Sequence, residues 1–183
     1  MLKITVPGVE LYNEEKNEFV YTEPTTLQLE HSLVSISKWE STWHKSFLNT
    51  KEKTLEESID YIKCMTITQN VPPLVYKGLN NDLMKVIQSY IDAPMTATTF
   101  SKEQEASKKT GGKEIITSEL IYYWMIALQI PFECQKWHIN RLLTLINVCN
   151  IKNTPPKKMS KSEIYSKNKA LNAARRAKYH SKG

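Results

Sequence analysis

Cys134 and His138 stand four residues apart, a spacing that puts two metal ligands, or a nucleophile and its base, on one face of a helix. A structural zinc centre wants four ligands. Cys149 lies on nearly the same helical face, but 15 residues separate it from Cys134. At about 1.5 Å per residue that is roughly 22 Å, far too long to share an ion. A catalytic Cys–His pair needs a third group to orient the imidazole, and the spacing implies none. His31 and His44 flank one predicted helix without a catalytic spacing, and Glu14, Glu15, Glu52, Glu56 and Glu57 fall in turns or at helix starts, where solvation and the helix dipole account for them. Five glycines in 183 residues leave little room for a phosphate-cradling loop, a nucleophile elbow or a dinucleotide fingerprint, and none is found. No catalytic residue, metal ligand or cofactor is expected, so the chemistry left to the chain is binding.

Two sets of residues suit binding. Trp39 with Trp43, and Tyr122 to Trp124 with Trp137, sit at spacings that usually build a core. Four tryptophans are nevertheless more than a small core needs, which makes Trp39, Trp43, Tyr123 and Trp137 candidates for an aromatic partner surface. The second set is a basic tail. The net charge of +6 is unevenly placed: residues 152–183 hold ten Lys and Arg against Glu163 alone, a net of +9, while residues 1–151 hold fifteen basic and eighteen acidic residues, a net of −3. Lys157, Lys158, Lys161, Arg175 and Arg176 are its candidate contacts. Three readings stay open: a solvated extension, a phosphate-binding arm for nucleic acid, and a docking helix for an acidic or helical protein. Only Tyr165 and Tyr179 are aromatic there, which argues against recognition by base stacking.

These residues need elements to position them. Leu2, Ile4 and Val6 alternate with Lys3 and Thr5, Val9 and Leu11 resume the alternation after Pro7–Gly8, and Phe19–Tyr21 and Leu27–Leu29 follow as short strands around a polar turn at Asn13–Glu18. A small antiparallel sheet is expected, with edges that the helical body or a partner must cover. From Ser32, an N-cap candidate, the period changes: Leu33, Ile36, Trp39, Trp43 and Phe47 mark an amphipathic helix. Thr54 and Glu57 form a capping box for a helix burying Leu55, Ile59, Ile62 and Met65, interrupted by Pro72–Pro73. Asn80 or Asn81 caps another, with Leu83, Val86, Ile87, Tyr90 and Ile91 inward, ending near Asp92. Met95–Lys113 reads as a mobile polar loop.

Thr117–Asn150 is the apolar centrepiece. Leu120, Ile121, Trp124, Met125 and Leu128 recur at helical steps, and Pro131 stops this helix and suits the first turn of the next. In that second helix Phe132, Ile139, Leu142, Leu143, Ile146 and Cys149 form a stripe, so the pair is expected as a helical hairpin with almost no loop. After a linker at Asn153–Met159, Ser160 and Glu163 form another capping box for a helix over Ile164–Lys178 with a thin apolar stripe.

The fold class expected is therefore α+β, mainly helical: a small sheet over residues 1–31, a helical bundle over 32–151, and a basic linker and helical tail over 152–183. The uncharged run Leu120–Phe132 is shorter than the roughly 20 residues that span a bilayer, and no leader segment is seen, so a soluble intracellular chain is expected. Three cysteines without framework spacing suit a reducing compartment.

The segments TLQLEHSLVSISKWES (Thr26–Ser41), DYIKCMTITQNV (Asp60–Val71), MTATTF (Met95–Phe100) and above all Leu120–Lys161, with IPFECQKWH inside it, resemble a family of small proteins encoded by tailed bacteriophages and prophages, the tail assembly chaperones. The resemblance spans almost the whole chain. It implies a non-enzymatic protein that coats the tape-measure protein, keeps that rod soluble, and hands it to tail-tube subunits before leaving the particle. Its place would be the cytoplasm of the infected host, with none left in the mature virion. Such chaperones often have a longer frameshifted product sharing the N-terminal part, and a homo-oligomer is compatible with the role. The resemblance assigns no single contact residue. Two alternatives stand beside it: a nucleic-acid-binding accessory protein acting through the tail, and a permanent connector or tail component of the virion.

Overall fold

The computed structural model describes residues 1–13, 17–100, 115–154 and 161–180. The middle of the polar turn at Asn13–Glu18, most of the Met95–Lys113 loop, the Pro155–Pro156 linker with Lys157 and Lys158, and Ser160 of the expected Ser160–Glu163 capping pair lie outside the described residues. The chain divides into two compact units, Met1–Ile151 and Lys152–Gly183.

In the first unit β1 (Leu2–Val6) pairs antiparallel with β4 (Thr25–Leu29), Ile4 opposite Leu27. Alternation sends Ile4, Val6, Leu27 and Leu29 into the core and leaves Lys3 and Thr5 outside. β2 (Glu10–Asn13) and β3 (Glu18–Tyr21) form a separate two-stranded piece, because proline lacks an N–H and both connections to the first pair carry one, Pro7 and Pro24. The expected sheet is therefore two small ladders. Val9 and Thr22 join them: the Thr22 amide donates to the Val9 carbonyl at 2.9 Å and the Val9 amide to Thr22 Oγ1 at 2.9 Å. The chain beyond the second helix covers the edge of β4, with Ile67 N donating to Gln28 O at 2.8 Å and Glu30 N to Met65 O at 2.9 Å. At Gly8 the two connections touch: a Cβ there would lie 2.3 Å from the Thr22 carbonyl oxygen. Gly8→Ala is expected to cost about 1–3 kcal/mol through the shift it forces, read as a lower urea midpoint; an unchanged midpoint would show the two ladders to be independent.

Ser32 caps α1 (Leu33–Trp43) as expected, its hydroxyl accepting from Ser35 N while Ser35 Oγ accepts from Ser32 N. The helix stops at Trp43 because His44 turns left-handed at φ 52°, so Phe47 reaches the core from a turn and not from the helix. α2 (Leu55–Met65) starts on the Thr54–Glu57 capping box and buries Tyr61, Ile62 and Met65. Leu55, expected inside, is 70% exposed. A short 3-10 helix, Pro73–Gly78, follows the proline pair, and Asn80 caps α3 (Asn81–Asp92) by accepting from Leu83 N at 2.9 Å. Ile87 and Tyr90 face inward there, but Val86 does not.

The expected hairpin is the largest departure. α4 (Ser118–Ala127) buries Ile121 and Met125 and half-buries Tyr122 and Trp124, but Gln129 then adopts φ 53° and Ile130 N donates back to Met125 O at 2.8 Å. Pro131 opens a 3-10 turn, Phe132–Lys136, rather than an α-helix, and α5 begins only at Ile139 and runs to Asn153. The missing proline N–H suits either kind of turn, which is why the residue alone does not choose between them. Phe132 is therefore outside the core stripe and exposed, and Cys134 and His138 do not share a helical face. In the second unit α6 (Lys161–Tyr179) is nineteen residues long, and every side chain described on it is exposed. No helix among the described residues is long and apolar enough to cross a membrane.

Candidate functional site

Where the sheet, α2, α3 and the start of α5 converge, the core holds polar groups. His31 follows β4 and is almost wholly buried; its Nδ1 is hydrogen bonded to the Tyr61 hydroxyl. Burial keeps the Tyr61 phenol protonated, and a phenol can either donate to this nitrogen or accept from it, according to the His31 tautomer. His138 packs edge-on against His31, ring centres 4.9 Å apart, and its Nε2 donates to the Tyr90 carbonyl at 3.0 Å. Desolvation, then the His138 and Lys53 charges, pull the His31 imidazole from 6.5 to about 3. Burial lowers His138 as well, against the raising pull of the Tyr90 carbonyl. The Tyr90 hydroxyl donates to Glu30 Oε1 at 2.6 Å, and Glu30 Oε2 pairs with the Met1 ammonium at 3.0 Å. Both imidazoles are neutral near pH 7, and among the described residues neither has a thiol or hydroxyl nucleophile aligned on a free nitrogen.

A second group surrounds α1. Glu40 is buried, and its two oxygens accept from Phe47 N at 2.8 Å and Ser118 N at 2.7 Å, joining the turn after α1 to the first turn of α4. Glu57 is buried too, not solvated at a helix start as its position suggested. It accepts from Thr54 N at 2.8 Å and pairs with Lys45 at 2.6 Å, and the Lys45 hydrogen bond holds its carboxyl below the ordinary range. Lys53 reaches back over the Phe47 ring, Nζ 4.1 Å from the ring centre, and donates to the Thr50 carbonyl at 2.7 Å. Burial depresses its ammonium.

Of these groups His31, Phe47, Thr50 and Lys53 border an open cavity of about 350 Å³, with Ile62, Ile87, Asp92 and Asn140 also in its lining. Asn140 is held by its amide, which donates to the Ile91 and Ala93 carbonyls at 3.0 and 2.9 Å. Among the described residues, no group of three or more His, Cys, Asp or Glu side chains gathers as a metal site would.

The candidate aromatic surface does not assemble as expected. Trp39 is fully buried, its indole N–H donating to the Glu57 carbonyl at 2.9 Å, so it belongs to the core and offers no partner surface. Trp43 stacks on it with ring centres 6.2 Å apart, half-buried, and donates to Asp60 Oδ2 at 3.0 Å. Trp137 is half-buried under the Arg141 guanidinium, 4.1 Å from its ring centre. Tyr123 is exposed, and one turn on so is Ile126. No ring contact links Trp43, Tyr123 and Trp137 among the described residues. Lys161, Arg175 and Arg176 are exposed on α6. Spacing does not single out Glu40, Lys53 and the His31–Tyr61 pair; the position of His31 beside the N-cap Ser32 is the one hint of any of them.

No family model matches the chain, no curated protein is similar to it, and no solved structure matches its fold.

Proposed function

We propose that this chain is a phage tail assembly chaperone, a non-enzymatic binding protein that keeps the tape-measure protein soluble and helps recruit tail-tube subunits in the cytoplasm of the infected host, leaving before the virion matures. The observation that carries the reading is α6, a nineteen-residue cationic helix with every described side chain exposed. A helix that buries nothing of its own chain is marginal alone and gains order from a partner. The exposed apolar pair Tyr123 and Ile126 on α4 adds a surface suited to a helical rod. The resemblance of Thr26–Ser41, Asp60–Val71, Met95–Phe100 and Leu120–Lys161 to tail assembly chaperones supports the same role.

Co-expression with a tape-measure protein tests it. The rod is expected to move to the soluble fraction and to co-purify, and the triple substitution Lys161→Glu, Arg175→Glu, Arg176→Glu is expected to lower recovery of the complex about tenfold or more at low salt. A rod that stays insoluble, with no complex isolated, defeats the reading. Mass spectrometry of purified particles separates a chaperone from a permanent tail component.

A second reading, nucleic-acid binding through the tail, is favoured by one face of α6. Tyr165, Asn168, Lys169, Asn172 and Arg176 border a common groove there, uniting phosphate-neutralising and hydrogen-bonding side chains. Deleting the residues after Asn153 is then expected to abolish salt-sensitive DNA or RNA binding.

A further inference from the structure

The ladder of β2 and β3 keeps an uncovered face. Register sets Glu10 opposite Tyr21 and Tyr12 opposite Phe19, and alternation turns these four side chains to one side, while Leu11 and Val20 on the other are half-buried. Tyr12, Phe19 and Tyr21 are 51, 59 and 68% exposed. The Tyr12 and Phe19 ring centres are 5.1 Å apart, and the Tyr21 hydroxyl donates to Glu10 Oε1 at 2.7 Å. Among the described residues no third strand joins this ladder and no Lys or Arg lies over its rings. Two strands alone are marginal without a covering element, and exposed rings grouped on one face are what interfaces bury.

Charge selects the cover. Residues 10–23 hold Glu10, Glu14, Glu15, Glu18 and Glu23 against Lys16, a net of −4. Residues 1–151 net −3, so the remainder of that unit nets +1 and its negative excess lies in this stretch. Two such ladders repel each other, which disfavours a symmetric pairing of ladder on ladder. Charge favours a cationic partner that also brings apolar groups to the rings. α6 carries both: residues 152–183 net +9, and Ile164 and Leu171 are exposed among its Lys and Arg side chains. Lys and Arg are also the side chains that stack on aromatic faces.

We infer that the outer face of the β2–β3 ladder docks α6 of a second copy of this chain, its carboxylates on Lys and Arg and its rings on Ile164 and Leu171. A three-ring patch belongs at the low end of interface sizes, so the association is weak and salt-sensitive. The contact rests on neither reading given for α6, and its failure leaves both standing.

Sedimentation equilibrium of the full, nuclease-treated chain from about 10 μM to about 1 mM is the test. At about 0.05 M salt the mean mass is expected to rise above the monomer with concentration, and at about 0.5 M to fall back toward it. Glu10→Lys with Glu18→Lys should weaken association about tenfold or more, and Phe19→Ser about fivefold or more. All three side chains are exposed, so the fold is spared, checked by circular dichroism. The variant Lys161→Glu, Arg175→Glu, Arg176→Glu should weaken it likewise. Mixing this tail variant with the ladder charge variant should restore association, because one supplies an intact ladder and the other an intact α6. A monomer at every concentration overturns the assignment. So does association that the ladder charge reversals leave intact, or a mixture that associates no better than its two parts.

Discussion

Lowering the pH from 7 to 4.5 is expected to remove about 2.5 kcal/mol of stability, before carboxylates contribute. His31 carries this effect. Its folded value of about 3 lies below its ordinary 6.5, so between those limits the unfolded chain binds a proton that the folded chain refuses. The contribution is complete above pH 6.5 and is lost as the pH falls toward about 3. At about 1.4 kcal/mol per pH unit, the whole window is worth roughly 5 kcal/mol. His138 is lowered too and adds to the same slope. Glu57, lowered from 4.5 by Lys45, and Glu119, lowered by hydrogen bonds at the start of α4, add most of their loss below pH 4.5, so the interval above it reads mainly the imidazoles. Urea unfolding at pH 7, 6, 5 and 4.5 reads the slope directly. His31→Leu should flatten most of it, and a wild-type free energy that stays constant down to pH 4.5 would refute the buried neutral histidine.

Glu40→Ala is expected to cost about 3–5 kcal/mol, since hydrogen bonds to a charged group are worth roughly 1.5–3 kcal/mol each and two are lost together. The donors left behind, Phe47 N and Ser118 N, are both buried, so losing their acceptor carries a desolvation cost. Glu40→Gln keeps one acceptor but turns an NH₂ toward the other amide, and should recover about half of the loss. The measurement is chemical denaturation at pH 7, where a change under about 1 kcal/mol for Glu40→Ala would mean that both amides have other acceptors.

Much of the scaffold was legible in the residue order because its signals are local. Alternation at Leu2–Val6 and at Leu27–Leu29 marks strands, and Ser32, Thr54 and Asn80 or Asn81 sit where helix caps are needed; the strands form, the second over Thr25–Leu29, and Ser32, Thr54 and Asn80 are the caps. The break between α4 and α5 was not legible, because it depends on a left-handed Gln129 and on a 3-10 turn that a proline permits as readily as an α-turn. Exposure of aromatics escaped for another reason. Trp39 and Trp43 lie four apart on one face, but α1 ends beneath the second, so the first is sealed and the second is only half covered. Tyr122 and Tyr123 are neighbours in sequence, yet a helix turns them apart, and only the packing of α4 decides which is exposed. The candidate site was hidden most deeply. Lys53 over Phe47 and His31 beside Tyr61 and His138 are pairings of tertiary contact, which spacing along the chain does not carry.

The Glu40 carboxylate joins positions 78 residues apart, and the bond from Ile139 N to the His31 carbonyl, 2.7 Å long, joins positions still farther apart in sequence. Synthesis runs from the N-terminus, so the strands and α1 emerge long before the amides that complete them. Until Ser118 and Ile139 arrive, Glu40 is an unclaimed charge and the His31 carbonyl an open acceptor beside exposed apolar side chains. Closing such distant contacts is slow relative to local helix formation. The first half of the nascent chain must therefore wait, part-folded, for the second.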